Sequence, residues 1–309
     1  MLCRMSEPTI SLDHADGMSA RVLLAFLATA GLFYVNIMPA LVQGLIDGLG
    51  FSNRDAGLVG SANVYGAALG ALLAVPLVRH LSWRMTSVVA LVGLITIDAG
   101  SMLLSEVDAL IGVRFVHGVV GGFLVGTAFS VVARTTDPDA TFGMLLFVQF
   151  GLGGVGVMFL PRLVPEHGTW VLFASLIAFS AVTLAMLPFI PAYPREDARR
   201  TERGGSSIMS LPLLLTLLAL FLFQAANMGL YAYIIGLGKW ADLGLGFITT
   251  TLLASAWIGL AGAGLVIVFS TRFGRAVPLA IALVLTVVAN WALHFSAVEW
   301  IFIAANCGV

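Results

Sequence analysis

The chain alternates long apolar runs with short polar gaps. Nine runs are complete: 21–45, 56–78, 86–104, 109–132, 141–163, 169–190, 211–235, 246–270 and 277–296. A tenth starts near 299 and stops with the chain at Val309. A helix crossing the hydrocarbon of a bilayer needs about 20 mostly apolar residues, and each complete run has that length. The pattern predicts an all-α chain with nine full spanning helices and the start of a tenth. Most gaps are short. The exception is 191–210, PAYPREDARRTERGGSSIMS, which combines two prolines, a charge cluster and a Gly/Ser run. It reads as a linker between two bundles. The expected organisation is a tail at 1–20, a six-helix bundle at 21–190, the linker at 191–210 and an incomplete second bundle at 211–309.

The basic residues give these spans a direction. Arg4, Arg21, Arg79, Arg84, Arg134, Arg195, Arg199, Arg200, Arg203, Arg272 and Arg275 fall on the side of the N-terminal tail. The opposite gaps hold only Arg54, Arg162 and Lys239. Cytoplasmic loops of membrane proteins carry the excess of Lys and Arg. Eleven residues against three therefore predict a cytoplasmic tail and a cytoplasmic linker, and a plasma membrane location (the inner membrane, in a bacterium). One basic residue, Arg114, lies inside a run.

Composition agrees with the bilayer as solvent. Sixty percent of the residues are hydrophobic, 10% are charged and the mean hydropathy is +1.03, against roughly 25% charged in a soluble domain. A net charge of -1 argues against nucleic acid as a partner, which needs a basic face. Cys3 and Cys307 lie near opposite termini and imply neither a disulfide framework nor a Cys-ligated metal. The first twenty residues lack the apolar core and cleavage site of a signal peptide. No HExxH pair, G-x-S-x-G or Cys/His metal spacing occurs, so no enzyme activity, catalytic residue, metal or cofactor is expected.

A weak internal repeat accompanies the linker. Asn36-Ile37-Met38 precedes Gly44, and Asn227-Met228 precedes Gly236. Phe51 stands 15 residues before Gly66 and 28 before Arg79; Phe247 stands 15 before Gly262 and 28 before Arg275. Parallel repeats of this kind are a transporter architecture, with the solute site near mid-membrane between them.

Two segments carry a resemblance to a known family. The gap after the eighth span reads Arg272-Phe273-Gly274-Arg275, and the one after the second runs from Val75 to Arg84 with Arg79, Ser82 and Arg84 in it. These resemble the hinge of the major facilitator superfamily, Gly-x-x-x-Asp-Arg-x-Gly-Arg-Arg. Arg79 stands where the family has Asp and Ser82 where it has Gly. The hinge candidates are Arg79, Arg84, Arg272, Gly274 and Arg275; the alternative is a set of ordinary basic membrane anchors. The fourth span reads Arg114-Phe115-Val116-His117-Gly118. It resembles the family's Arg-x-x-Gln-Gly motif, with His117 in place of Gln. The resemblance implies two six-helix bundles that rock about a central solute site, and a role for Arg114 in proton coupling. A full second bundle would continue past residue 309, so the chain is expected to be C-terminally incomplete.

The residues point to the same place without the family. An arginine at mid-helix costs at least about 2.5 kcal/mol to insert and needs a partner or a cavity. Spans 3 and 4 form a hairpin turning near Glu106. Asp98 and Arg114 lie eight residues before and after that turn, at similar depth, about 12 Å of helix rise from it. Two readings stand: a static ion pair, or an Asp98 that takes up and releases a proton beside Arg114. His117 is one turn from Arg114, and histidine is the side chain that titrates near neutral pH when hydrated. Packing is the alternative for it.

Tyr34 and Asn36 on span 1, and Gln224, Asn227 and Tyr231 on span 7, are candidate contacts to the solute. The last three are spaced to share one helix face. In the family these spans line the central cavity; helix-to-helix hydrogen bonding is the alternative. Gln149, Trp257, Asn290, Trp291 and His294 are expected to pack rather than bind, and so are the glycines of span 5. The leading expectation is a transporter of a small organic solute, with protons as a candidate second partner and the lipid bilayer as its surroundings. A non-transporting membrane sensor or truncated remnant is the competing reading. Asn36, Asn227 and few free charges suit a neutral or amphipathic solute, whereas an unpaired Arg114 would suit a carboxylate.

Overall fold

A computed structural model describes the backbone of residues 17–193, 211–273 and 276–308, and their side chains except those of 212, 262–273 and 276–279. Among the described residues there are eleven α-helices and no strand. They are α1 (Met18–Asn36), α2 (Met38–Leu49), α3 (Asn53–Leu77), α4 (Trp83–Ser101), α5 (Val107–Val132), α6 (Pro138–His167), α7 (Trp170–Met186), α8 (Leu211–Trp240), α9 (Leu245–Phe273), α10 (Ala276–Ala292) and α11 (Glu299–Gly308). Among the described residues seven helices are long and apolar enough to cross a membrane, and Met38–Leu49, Leu245–Ala261 and Ala280–Phe295 are shorter apolar helices. The protein is a multi-pass integral membrane protein. Most of the expected linker, and the tail as far as residue 16, lie outside the described residues.

Each expected span meets a helix, with one difference. Span 1 is two helices, broken at Ile37 (φ -102°, ψ 15°). Pro39 sits at the start of α2. It has no N–H to give the preceding turn, and its ring clashes with the carbonyl four residues back. Its counterpart α8 has no proline near Asn227 and runs through it unbroken. The repeat seen in sequence thus joins a broken helix to a continuous one.

Two buried apolar clusters follow the order of the chain. The larger draws on α1–α7 and adds Ala232 of α8. The smaller draws on residues between Ile234 and Ala305 and adds Val157 of α6. The closest helix contact is α3 on α5. A Cβ placed on Gly66 would meet the carbonyl of Phe115, and one on Gly70 that of Val119. Reciprocally, Gly118 lies against the carbonyl of Asn63, and Gly122 against that of Ala67. Two Gly-x-x-x-Gly pairs interlock. In lipid, where apolar burial does not drive helices together, such close backbone approach is what packing energy requires.

Glycines on α6 do similar work against two partners. Gly153 sits 3.0 Å, measured from an added Cβ, from the Cβ of Asn36; Gly154 sits 3.1 Å from that of Ala256. The helix therefore lies close to the break in span 1 on one side and to α9 on the other. The expected packing role of this glycine stripe agrees with that geometry.

Candidate functional site

The buried charges assemble where the α4–α5 hairpin meets α1, α3 and α7. Asp98 and Arg114 are 0% exposed, and His117 is 4% exposed. Arg114 Nη1 donates to Asp98 Oδ1 at 2.8 Å. Arg114 Nη2 donates to the hydroxyl of Ser101, one turn beyond Asp98 on the same face. The guanidinium carbon lies 5.1 Å from the ring of Phe173 and 5.7 Å from that of Tyr34. Aromatic faces attract a cation most when water is excluded. The hairpin geometry expected from sequence therefore holds: Asp98 and Arg114 meet.

Two further residues complete the cluster. Asn63 of α3 donates its amide to the carbonyl of Arg114 at 3.2 Å, and that amide lies 2.8 Å from His117 Nδ1. His117 Nε2 is 3.4 Å from Asp98 Oδ2. That contact is not a hydrogen bond, and Asp98 Oδ2 and Arg114 Nε have no hydrogen-bond partner. The Tyr34 and His117 ring centroids are 5.6 Å apart. Sequence reasoning named Asp98, Arg114, His117 and Tyr34 and missed Asn63, Ser101 and Phe173. The three-residue spacing of Asp98 and Ser101 was a usable signal. Asn63 and Phe173 lie on other helices, and no spacing connects them.

A second group lies at the break in span 1. Asn36 Oδ1 accepts from Gln149 Nε2 at 2.9 Å, and the Asn36 carbonyl accepts from the Tyr231 hydroxyl at 2.7 Å. Asn36 Nδ2 is buried and has no hydrogen-bond partner. Asn36 and Tyr231, from the two halves of the chain, are thus brought together. Gln149 makes the helix-to-helix bond expected of it. Gln224 is exposed and Asn227 half-buried, and neither joins this group among the described residues.

Among the described residues, several hydrogen bonds join α1–α7 to α8–α11 from this depth toward the ends of α2 and α8. Lys239 Nζ meets Asp47 Oδ2 at 2.7 Å, and Gln43 Nε2 holds the other oxygen at 2.9 Å. Tyr233 donates to the Asn53 carbonyl at 2.7 Å. Arg162 donates to Thr249, Thr250 and the carbonyl of Gly246. At the tail face, Arg79 is exposed. Arg84 stacks on Trp83, 4.9 Å from its ring, and donates to the Ile190 carbonyl at the end of α7. Arg84 thus ties the start of α4 to the segment that follows α7. The side chain of Arg272, and Gly274 and Arg275, lie outside the described residues.

Comparison with known proteins places this arrangement. A family described as Major Facilitator Superfamily matches residues 22–309. A gallate transporter of Pseudomonas putida is 26% identical over 170 residues, which is 54% of this chain and 37% of that protein. The chain so matches little more than a third of that relative's length. A D-xylose-proton symporter has the same fold, with a TM-score of 0.60 at 13% identity over 94% of this chain and 79% of the other. The xylose transporter XylE from E. coli, in an inward open conformation, gives 0.61 at 16% identity over 93% and 79%. The nucleoside transporter NupG gives 0.54 at 16% identity over 94% and 79%.

Proposed function

This chain belongs to the major facilitator superfamily, and on that premise we propose that it carries a small organic solute across the membrane by alternating access, coupled to protons at Asp98. The observation that carries the coupling is the fully buried Asp98–Arg114 pair with His117 beside it. A guanidinium stays charged under all ordinary conditions, whereas a carboxylate can be discharged by one proton. The pair therefore has one fixed and one switchable member. Protonating Asp98 releases Arg114 to its remaining partners, Ser101 and the two rings. That is a change of state which a solute gradient can be linked to.

The solute meets the protein at the break in span 1. Asn36 Nδ2 is a buried donor awaiting an acceptor, with Tyr34 and Tyr231 beside Asn36 in sequence or in space. Gln224 and Asn227 are spaced to share a face of α8 with Tyr231 and are the next candidates along that helix. Arg114 is engaged by Asp98, so the donors left to a solute are amides and phenols. A neutral or amphipathic small molecule fits them. The gallate transporter's name adds hydroxylated aromatic acids to the compounds worth offering. The tail and linker face the cytoplasm, following the basic residues, and residues 21–190 and 211–309 form the two rocking units with the hinges at Arg79–Arg84 and Arg272–Arg275.

The test is accumulation of candidate solutes in vesicles, with and without an uncoupler, for the parent and Asp98→Asn. Uncoupler-sensitive uptake that loses its pH dependence in the variant supports the proposal. No flux under any gradient sinks the transport reading. Unchanged coupling in the variant leaves a static ion pair, the second reading, which the complete burial of both partners favours.

A further inference from the structure

We infer that Asn63 is a positioning residue that caps His117 and so controls the protonation of Asp98; this rests on the proton-coupling reading above. The orientation of the Asn63 amide is set by its first partner. Nδ2 lies 3.2 Å from the Arg114 carbonyl oxygen, where the amide's own oxygen would be repelled. The second hydrogen of the same nitrogen then points at His117 Nδ1, 2.8 Å away. A ring nitrogen that accepts carries no proton, so the hydrogen of the neutral imidazole is on Nε2. Nε2 lies 3.4 Å from Asp98 Oδ2 without a hydrogen bond between them, and Oδ2 is a buried oxygen that has no other partner.

The arrangement is a relay with its entrance closed. A proton on Nδ1 would collide with the Asn63 donor, so the cap keeps that nitrogen bare while it is in place. When Asn63 withdraws, a hydronium ion gives its proton to Nδ1 and is left as water. The Nε2 proton then passes to Asp98 Oδ2, which needs the ring to turn its N–H onto that oxygen and the gap to close to hydrogen-bond length, about 2.7–2.9 Å. His117 ends neutral with its hydrogen on Nδ1. Asp98 ends neutral, and Arg114 keeps its charge. One proton has entered and one net positive charge has been gained.

The groups around His117 allow this reading. From α4 it meets Asp98, from its own helix Arg114, and from α1 the phenol ring of Tyr34. From α3 it meets only the uncharged Asn63. The glycine interlock holds that α3 contact in register, since Gly118 rests on the carbonyl of Asn63 itself.

The test uses the full chain in lipid bilayers with 15N-labelled histidine, the His117 signal being identified by its loss in His117→Gln. The expected wild-type signal at neutral pH is an imidazole bare at Nδ1 and protonated at Nε2. Asn63→Leu keeps the volume and removes the donor. It is expected to give mixed tautomers, because the bond that held Nδ1 bare is gone. Asn63→Asp offers an acceptor and should move the hydrogen to Nδ1. A wild-type imidazole protonated at Nδ1, or a tautomer unaltered in Asn63→Leu, overturns the inference. Flux in Asn63→Leu with an unshifted pH profile overturns its control of Asp98. A capped imidazole in a protein whose flux ignores uncouplers would instead remove the coupling reading and leave Asn63 a structural partner.

Discussion

Removing the charge of Asp98 should cost more than removing that of Arg114, although the two share one bond. Asp98→Asn leaves a guanidinium 0% exposed that cannot discharge itself. Breaking a buried pair from one side costs about 3–5 kcal/mol. Here the Ser101 hydroxyl remains, and the rings of Phe173 and Tyr34 lie 5.1 Å and 5.7 Å from the guanidinium carbon. Each ring offsets about 0.5–1 kcal/mol or more, which brings the expectation to ~3 kcal/mol, at the low end of the range for a broken buried pair. Arg114→Met leaves a carboxylate, which escapes by taking a proton. Its deficit should therefore shrink as the pH falls, because acid supplies the neutral form. The guanidinium left by Asp98→Asn has no such escape. The double variant should recover part of the loss, with a coupling of ~2 kcal/mol, inside the range for contacting residues. The assay is reversible unfolding of the purified protein in mixed micelles, read by circular dichroism over a pH series. Glu106→Gln is the control, an exposed residue whose side chain makes no capping bond. The reasoning fails if Asp98→Asn is no worse than this control, or if Arg114→Met ignores pH.

Other outcomes follow from the same geometry. Gly118→Ala should destabilise by about 1–3 kcal/mol through overpacking on the Asn63 carbonyl, whereas Gly112→Ala, with nothing within 4 Å, should be nearly silent in the same melt. Lys239→Met should weaken the contact between α2 and α8 by ~0.5 kcal/mol, the scale of an exposed pair, and raise thiol labelling of a cysteine at Asn36 from the face that carries the Asp47–Lys239 pair; unchanged labelling would count against a closing role for that pair. Pro39→Ala should let α1 and α2 join, moving the Asn36 carbonyl away from the Tyr231 hydroxyl, detectable as loss of a disulfide engineered between positions 36 and 231.

Much of this was legible in the sequence because lipid is a simple solvent. A spanning run must be apolar over its whole length, so hydropathy could place the helices, and Arg114 stood out as the residue that fitted no loop. Hairpin arithmetic then found its partner, since an antiparallel pair fixes depth. It could not fix rotation, and rotation is what brings Asn63 and Phe173 to the cluster from α3 and α7. The break at Ile37 needed only Pro39. The shared face of Gln224, Asn227 and Tyr231 was correct as periodicity, yet only Tyr231 crosses to Asn36, because α8 faces α2 and the start of α3 through its outer turns at Tyr233 and Lys239.

The pairing of Asp98 with Arg114 also bears on how the chain enters the membrane. Helices emerge from the ribosome one after another, and α4 arrives with an acidic residue three positions from its end, α5 with a basic one seven positions from its start. Alone, either would carry an unmatched charge into hydrocarbon. Only residues 102–106 separate them. The pair can therefore neutralise itself as soon as both helices have left the tunnel, and the natural unit of insertion is the α4–α5 hairpin rather than the single helix.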